Sequence, residues 1–289
     1  MANMRAIRTR IKSVKNTQQI TKAMKMVAVS KLRRTQAGMQ AMRPFAEKSQ
    51  EVLDTLLASG SGNENRFIAP RKTVSKVCYV LFVGNRGLCG MYNNAVLRFM
   101  EEIANAEQRP FEVVVCGRWG KDVILKSGLP VVKTFTGLSD TPTANEALEL
   151  AEFLKQKYLN GEADEIHIVY QHYHSALSQE PVAHRLLPAA PESESEAVSK
   201  KQFIFAPDAQ SVLESVMQLY INNRVLSIML EAKCGEHSAR MTAMTSATDS
   251  TKTLIDQLGL SLNRARQAAI TTEISEIVGG ASALKRKKT

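Results

Sequence analysis

The distribution of proline constrains the fold of this chain more than any other feature of its sequence. All nine prolines lie between Pro44 and Pro207, so the first 43 and the last 82 residues contain none. A proline inside a helix removes a backbone donor and costs about 3 kcal/mol. Two long proline-free ends therefore predict two long helices, and a helix over most of Asp208–Leu284 would be on the order of 110 Å long.

Both ends also carry a pattern of alternating steps of three and four residues, which is the repeat of a coiled coil. The carboxyl-terminal pattern runs through Leu213, Val216, Tyr220, Asn223, Ser227, Leu230, Cys234, His237, Met241, Met244, Thr248, Thr251, Ile255, Leu258, Leu262, Ala265 and Ala269. The amino-terminal pattern is patchier and runs through Val14, Thr17, Thr21, Met24, Ala28, Lys31, Thr35, Gly38, Met42, Phe45, Ser49, Val52 and Leu56. Because both helices enter the same central domain, we expect them to pair antiparallel. Pro44 is expected to bend or break the first helix unless its missing N–H is dispensable there.

The longer carboxyl-terminal helix is expected to extend beyond its partner. Its last residues are small or apolar, and they include Ile277, Val278, Ala281 and Leu284. A single helix of this kind would fray in water, but it would be stable inside a sleeve formed by another protein.

The middle of the chain reads as alternating strands and helices. Strands are predicted at Val77–Val83, Phe111–Cys116, Val131–Phe135 and Ile166–Tyr173, and helices near Asn94–Ala106, Trp119–Lys126 and Thr143–Tyr158. This alternation predicts a doubly wound, mostly parallel, Rossmann-like α/β domain. The expected organisation is an N-terminal coiled-coil helix over residues 1–58, a central α/β domain over 74–190 and a C-terminal coiled-coil helix over 208–285.

Positive charge is concentrated at the amino-terminal end. Residues 1–46 contain eleven Lys and Arg and no Asp or Glu, whereas the other 243 residues carry 27 basic and 28 acidic side chains. Arg8 and Lys12 are four residues apart, a spacing at which like charges repel on a helix. Such a helix would gain from an acidic neighbour, although a solvated basic face is the simpler alternative.

No motif predicts catalysis, a cofactor or a metal site. Gly84, Gly87 and Gly90 follow a strand and precede a helix, but their GxxGxxG spacing is neither a dinucleotide fingerprint nor a P-loop. His172 and His174 share one strand face without an evident third metal ligand. The four cysteines form no CxxC pair, which is typical of reduced thiols in a cytosolic-type protein, and no run of 18 apolar residues exists.

Four segments resemble the gamma subunit of bacterial F-type ATP synthase. They are ARQAAIT with EISEIVGGA between Ala265 and Ala281, IRTRI and NTQQITKAM with MVA between Ile7 and Ala28, RGLCG at Arg86–Gly90, and ARMTAM with ATD between Ala239 and Asp249. The matches cover both ends and the centre of the chain in the family's order.

The resemblance implies a rotor subunit of the central stalk, without a catalytic site of its own. Partners would be the ring of three alpha and three beta subunits, the epsilon subunit and the c-ring, with ion flow turning the shaft. In this interpretation, Arg266 and Gln267 contact a beta loop, and Met24 and Lys25 lie at the level of the beta lever. The residues Ile277, Val278, Ala281 and Leu284 would form the bearing tip, and Phe203 and Phe205 would belong to the foot near epsilon and the c-ring.

The implied location is peripheral, on the cytoplasmic face of the cell inner membrane. The main alternative is a protein that binds nucleic acid or an anionic membrane through its basic helix. No aromatic residue interleaves the basic residues of 1–44, and the long carboxyl-terminal pattern would then have no role. A second alternative is a free-standing nucleotide-binding α/β enzyme with coiled-coil arms.

Overall fold

The computed structural model describes residues 2–58, 65–69, 71, 74–124, 128–189 and 208–286; within these ranges the side chains of residues 2, 3, 57, 58, 120–122, 209 and 282–286 are not described. Two long helices, α1 (Ala2–Ala58) and α5 (Ala209–Arg286), enclose a central α/β sequence. The contacts divide the chain into unit 1, Met1–Val27 with Ala243–Thr289, and unit 2, Ala28–Thr242. Helices α1 and α5 contribute residues to both units.

Unit 2 contains a five-stranded sheet with strand order β3-β2-β1-β4-β5. The strands β1 (Val77–Phe82), β2 (Phe111–Cys116), β3 (Val131–Phe135) and β4 (Glu165–Tyr173) pair in parallel, and β5 (Gln179–Leu187) pairs antiparallel with β4. The order reverses at β1, so the predicted doubly wound α/β fold is confirmed.

The two faces of the sheet are covered by different helices. Helices α2 (Tyr92–Glu107) and α3 (Arg118–Ile124) pack on one face through Val96, Met100 and Ile124. Helix α4 (Ala144–Leu159) covers the other face together with α1 and α5, and Leu53, Leu154 and Leu213 are fully buried there. The sheet is therefore buried on both faces, which accounts for its nearly continuous apolar strands.

Capping residues satisfy backbone donors at the starts of α4 and α5. Thr143 and Glu146 form a reciprocal capping box at the start of α4. The carboxylate of Asp208 accepts the backbone N–H of Ser211 at 2.9 Å and caps α5. Both helices therefore begin at sequence signals that satisfy otherwise unpaired backbone donors.

Strand β5 was not predicted, and its composition explains why. It contains Pro181, which argues against an internal strand, and its side chains are mostly half-buried. Proline is tolerated because β5 pairs only with β4 and forms the edge of the sheet.

The two long helices run antiparallel in unit 2. A Cβ at Gly38 would lie 3.3 Å from Leu230, and Asn223 donates to Ser49 at 3.0 Å, so later residues of α1 meet earlier residues of α5. Every member of the predicted α5 pattern from Leu213 to Ala269 is buried or half-buried.

The prediction for α1 needs three corrections. Thr17, Phe45 and Val52 are exposed, and Gln18, Ala46 and Leu53 take the inward positions next to them. The inward face thus lies one residue later than predicted at these three positions, because the average helical repeat of 3.6 drifts against a strict 3.5 pattern. Pro44 itself lies within α1 and is exposed, and the helix continues through it.

In unit 1, the hydroxyl groups of Thr21 in α1 and Thr248 in α5 form a hydrogen bond of 2.9 Å. The less exposed residues of α1 here follow steps of three and four, at Met4, Ile7, Ile11, Val14, Gln18, Thr21 and Met24. No helix in the described ranges combines the length and apolar character needed to cross a bilayer.

Candidate functional surfaces

The glycine turn after β1 lies at the carboxyl edge of the sheet, where doubly wound folds bind their ligands. The backbone N–H of Gly84 donates to Oδ1 of the buried Asn93 at 2.8 Å. The N–H of Gly84 is therefore already hydrogen-bonded to Asn93 and is not available to bind a phosphate. Gly90 has a φ of 58°, a left-handed conformation that glycine adopts without a steric penalty.

Side chains of α2 and α5 fill the crevice beside this turn. Glu236 is 2% exposed, and a Cβ at Gly84 would lie 3.0 Å from its Cδ. The Tyr92 hydroxyl donates to the backbone oxygen of Ala232 at 2.7 Å. The cavity left between these groups measures about 10 Å³, room for at most one water molecule. The helix α5 thus occupies the place that a nucleotide would need.

Glu236 is the centre of a buried ionic group. Its carboxylate contacts Lys233 Nζ at 2.8 Å and Arg240 Nη2 at 2.7 Å. Arg240 Nη2 also donates to the backbone oxygen of Arg86 at 3.1 Å, which ties α5 to the glycine turn. Burial alone would raise the pKa of Glu236, but Lys233 and Arg240 hold this pKa below its ordinary value.

A second polar group is built around Asp140, in the loop between β3 and α4. Its Oδ2 accepts from Lys31 Nζ at 2.6 Å, and its backbone oxygen accepts from Thr35 Oγ1 at 3.3 Å and from His237 Nε2 at 3.0 Å. Although burial opposes it, the hydrogen bond from Lys31 lowers the pKa of Asp140. Burial lowers the pKa of His237, so its neutral ring donates through Nε2.

These two groups surround the helices at the same edge of the sheet, and we refer to them together as the collar. The collar consists of Lys31 and Thr35 of α1, Arg86 of the glycine turn, Asp140 of the β3–α4 loop, and Glu236, His237 and Arg240 of α5. Sequence reasoning placed His237 at an inner or interface position, and it is fully buried there. Lys31 and Thr35 also belong to the predicted inward pattern of α1. The meeting of these side chains at one place was not predicted, because four separate segments supply them.

His172, in β4, and His174, which follows the end of β4, each face a carboxylate. His172 pairs with Glu231 and His174 Nε2 lies 2.8 Å from Glu180, while the two rings are in edge contact with centroids 4.4 Å apart. Over the described residues, no group of three or more His, Cys, Asp or Glu is arranged to hold a metal ion.

All four cysteines are buried and unpaired. Burial raises the pKa of Cys78 and of Cys234 to about 12, so these groups are thiols and not reactive thiolates at neutral pH.

The four predicted beta-contact residues lie at two levels of unit 1. Met24 and Lys25 are half-buried and follow Thr21, which faces Thr248 of α5. Arg266 and Gln267 are exposed and begin 18 residues after Thr248 along α5, roughly 27 Å at 1.5 Å per residue. The structure therefore does not bring the two pairs together, and any contacts they make are separate.

The predicted tip lies on the last part of α5. Ile277, Val278 and Ala281 are exposed, and Leu284 belongs to the helix but its side chain is outside the described residues. The predicted foot residues, Phe203 and Phe205, also lie outside the described residues.

Exposed apolar residues also lie on α5 before the residues of the predicted tip. Ile270, Ile274, Ile277 and Val278 are 48%, 56%, 71% and 58% exposed. Their spacing of i, i+4, i+7 and i+8 places them on one face of the helix, which we refer to as the apolar stripe. This spacing was visible in the sequence, but the earlier part of the stripe is obscured there by the coiled-coil pattern that ends at Ala269.

Comparisons with known proteins agree with this architecture. A family model described as ATP synthase matches residues 3–284. The ATP synthase gamma chains of Desulforamulus reducens and Moorella thermoacetica are each 44% identical over 285 residues, covering 99% of this chain and all of the relative. The gamma chain of Chlorobaculum parvum is 38% identical over 292 residues, again with 99% of this chain covered.

Solved structures share the fold at lower identity. A chain of the Euglena gracilis mitochondrial ATP synthase, from an assembly of OSCP, F1 and c-ring, has a TM-score of 0.73 at 19% identity and covers all of this chain and 96% of its own length. A chain of the Tetrahymena thermophila central stalk and c-ring has a TM-score of 0.60 at 21% identity, with 79% and 99% covered.

The family match and the relatives confirm the resemblance predicted from the four sequence segments, and they favour it over nucleic-acid or membrane binding. The chain therefore belongs to the ATP synthase gamma chain family, the non-catalytic rotor of the enzyme's central stalk.

Proposed function

We propose that this chain couples rotation of an ion-driven c-ring to the catalytic beta subunits by turning inside the ring of three alpha and three beta subunits. Its location would be peripheral, on the cytoplasmic face of the cell inner membrane, with the epsilon subunit and the c-ring near Phe203 and Phe205. The family assignment supports this role, and the exposed apolar stripe of α5 is the observation that carries it.

The stripe lies on a part of α5 that is exposed along its whole described length. Every described side chain from Ile270 to Ala281 is exposed. Glycine costs about 1 kcal/mol in a helix, and a Cβ added at Gly279 or Gly280 would meet no atom within 4 Å. Because tertiary packing supplies most helical stability, a surrounding protein surface would stabilise this segment. Small and apolar side chains would give such a bearing few directional contacts to hold one angle.

Polar side chains just before the stripe are suited to hydrogen bonds with a neighbouring subunit. Arg266 and Gln267 are exposed and lie one turn before Ile270, so a loop of the alpha–beta ring could reach them. An arginine fork and an amide supply donors for carboxylate or carbonyl groups. We assign these two residues to a beta loop, and Met24 with Lys25 to a separate beta contact on α1.

The charge of unit 1 fits acidic surroundings. Arg5, Arg8, Arg10, Lys12, Lys15 and Lys22 are all exposed, and none of them forms an ion pair with another described residue. Acidic loops facing this helix would therefore attract it during assembly. Their contacts with the basic side chains would also change as the chain rotates.

The test is a reversible cross-link between Lys25→Cys and a beta subunit in the assembled complex. We expect ATP hydrolysis to fall to background after cross-linking and to return when the linker is cleaved, because the shaft cannot turn while it is tied to one beta subunit. The four native cysteines are buried, so the introduced thiol is the reactive one.

The wild-type complex treated with the same reagent is the control and is expected to keep its activity. Full hydrolysis after quantitative cross-linking of Lys25→Cys would contradict rotation at this level. Failure of the chain to purify with alpha and beta subunits under gentle extraction would contradict the proposed assembly.

A further inference from the structure

We propose that the collar is the joint that fixes the angular setting of α1 and α5 relative to the sheet, and that Asp140 is its principal positioning residue. This inference rests on the proposed function, since a fixed setting matters only if the chain transmits torque. Doubly wound folds commonly bind ligands at the carboxyl edge of the sheet, and the proposal gives this edge a mechanical role instead.

Asp140 is suited to this role because one loop residue holds both helices. Its carboxylate binds Lys31 of α1 at 2.6 Å, while its backbone oxygen accepts from Thr35 of α1 at 3.3 Å and from His237 of α5 at 3.0 Å. Thr35 and His237 are both fully buried, so water does not compete for their two bonds to the backbone oxygen, whereas the ion pair with Lys31 is partly exposed. A rotation of either helix about its axis would break at least one of them.

The glycine turn provides a second, independent attachment. Arg240 bridges the carboxylate of Glu236 and the backbone oxygen of Arg86, and Gly84 allows Glu236 to approach the turn closely. This attachment reaches α5 from a different strand end than Asp140 does. Two attachments at separated points resist twisting more effectively than one.

Apolar packing alone would fix the angle less firmly. The helices also contact the sheet through Leu53, Leu213 and Leu230, which are buried in the main core. Such contacts are strong, but they are not directional, and neighbouring packings differ little in burial. Hydrogen bonds weaken steeply when their geometry changes, so the collar is the part of unit 2 that specifies rotation.

The chain offers a matched control at the opposite edge of the sheet. Asp164 is also buried and accepts from Arg71 Nη1 at 3.0 Å and from the backbone N–H groups of Ser75 and Lys76 at 2.8 and 3.1 Å. None of these partners belongs to α1 or α5. Asp164→Asn should therefore loosen unit 2 locally without changing the setting of the two helices.

The experiment measures angular stiffness in single complexes. The alpha–beta ring is immobilised, and a bead is attached to unit 2 through Asn105→Cys on the exposed side of α2. In the pause before ATP binding, we expect Asp140→Asn to widen the angular fluctuation of the bead at least two-fold in variance. Asp164→Asn should leave the variance unchanged.

Lys31→Gln serves as a second variant, because this partly exposed side chain can change without leaving a buried charge. It should widen the fluctuation by a similar factor, because it removes the same ion pair, even if Asp140→Asn fails to assemble. Equal variance in the parent, Asp140→Asn and Lys31→Gln would overturn the inference, as would equal widening in Asp164→Asn. A parent complex that does not rotate would instead contradict the proposed function.

Discussion

Units 1 and 2 treat electric charge in opposite ways. Unit 1 holds 14 Lys and Arg and four Asp and Glu, and so carries the whole formal charge of +10, whereas unit 2 holds 24 of each. Every ion pair between described residues also lies within unit 2. Unit 2 is therefore balanced in charge and pairs part of its charge internally, whereas the net charge and the apolar stripe of unit 1 have no partners among the described residues.

This difference predicts that the free energy of unfolding depends on packing far more in unit 2 than in unit 1. Leu154→Ala, at a fully buried site, should lower it by about 2–5 kcal/mol, while Leu262→Ala, at a half-buried site, should cost less than about 1.5 kcal/mol. Urea unfolding of the full chain measures both, with the single Trp119 reporting on unit 2. The comparison breaks if Leu262→Ala moves the Trp119 transition as far as Leu154→Ala does.

Two helical glycines of α5 should respond to alanine with opposite signs. At Gly235 in unit 2, a Cβ would lie 3.1 Å from the ring of Tyr92, whose hydroxyl is bonded to Ala232, so overpacking should cost about 1–3 kcal/mol. At Gly259 in unit 1, nothing lies within 4 Å, and alanine should stabilise the helix by up to about 1 kcal/mol. Thermal unfolding by circular dichroism tests both, and the same sign for the two variants would refute this distinction.

Acid should weaken unit 2 through a half-buried histidine. Partial removal from water, together with the neighbouring Arg224, lowers the pKa of His184 to about 3. As the pH falls below about 6.5, the unfolded chain binds a proton that the folded chain does not, so stability falls by up to about 1.4 kcal/mol per pH unit. His184→Gln keeps a polar side chain and should flatten this dependence between pH 7 and pH 5, measured by urea unfolding with Trp119 fluorescence. Parallel slopes for the two proteins would show that His184 is not responsible.

The smallest expected effects come from surface charge. The double variant Arg8→Gln with Lys12→Gln removes a like-charge pair in unit 1 and should raise helix stability by about 0.2–0.5 kcal/mol. Lys48→Gln removes an exposed ion pair with Glu51 in unit 2 and should lower stability by a similar amount. Thermal unfolding at low salt gives both values. Destabilisation by the unit 1 variant would mean that its basic residues have stabilising partners within the chain.

Much of the fold could be predicted because it depends on local signals. Proline-free ends predicted both long helices, and the helix predicted near Thr143–Tyr158 is observed as α4, Ala144–Leu159. The strands Phe111–Cys116 and Val131–Phe135 were predicted at their observed bounds. The exposed face of α1 was harder, since a one-residue drift near Pro44 exchanges Phe45 and Val52 for Ala46 and Leu53.

The collar could not be predicted, because no local pattern specifies it. Lys31, Arg86, Asp140 and Glu236 are ordinary surface-type residues in sequence, and only the topology of the sheet brings them to one edge. Pairing between distant segments is information that spacing within one segment does not contain. The residues assigned to the beta subunits and the foot stay predictions drawn from family resemblance.

The filled crevice at the end of β1 has a consequence for signalling within the enzyme. With Glu236 and Tyr92 packed into that space, the crevice has no room for a nucleotide. The nucleotides bound by the catalytic subunits would therefore act on this edge only through mechanical force. A fold that binds small molecules in other proteins would thus act here as a mechanical support for the two helices.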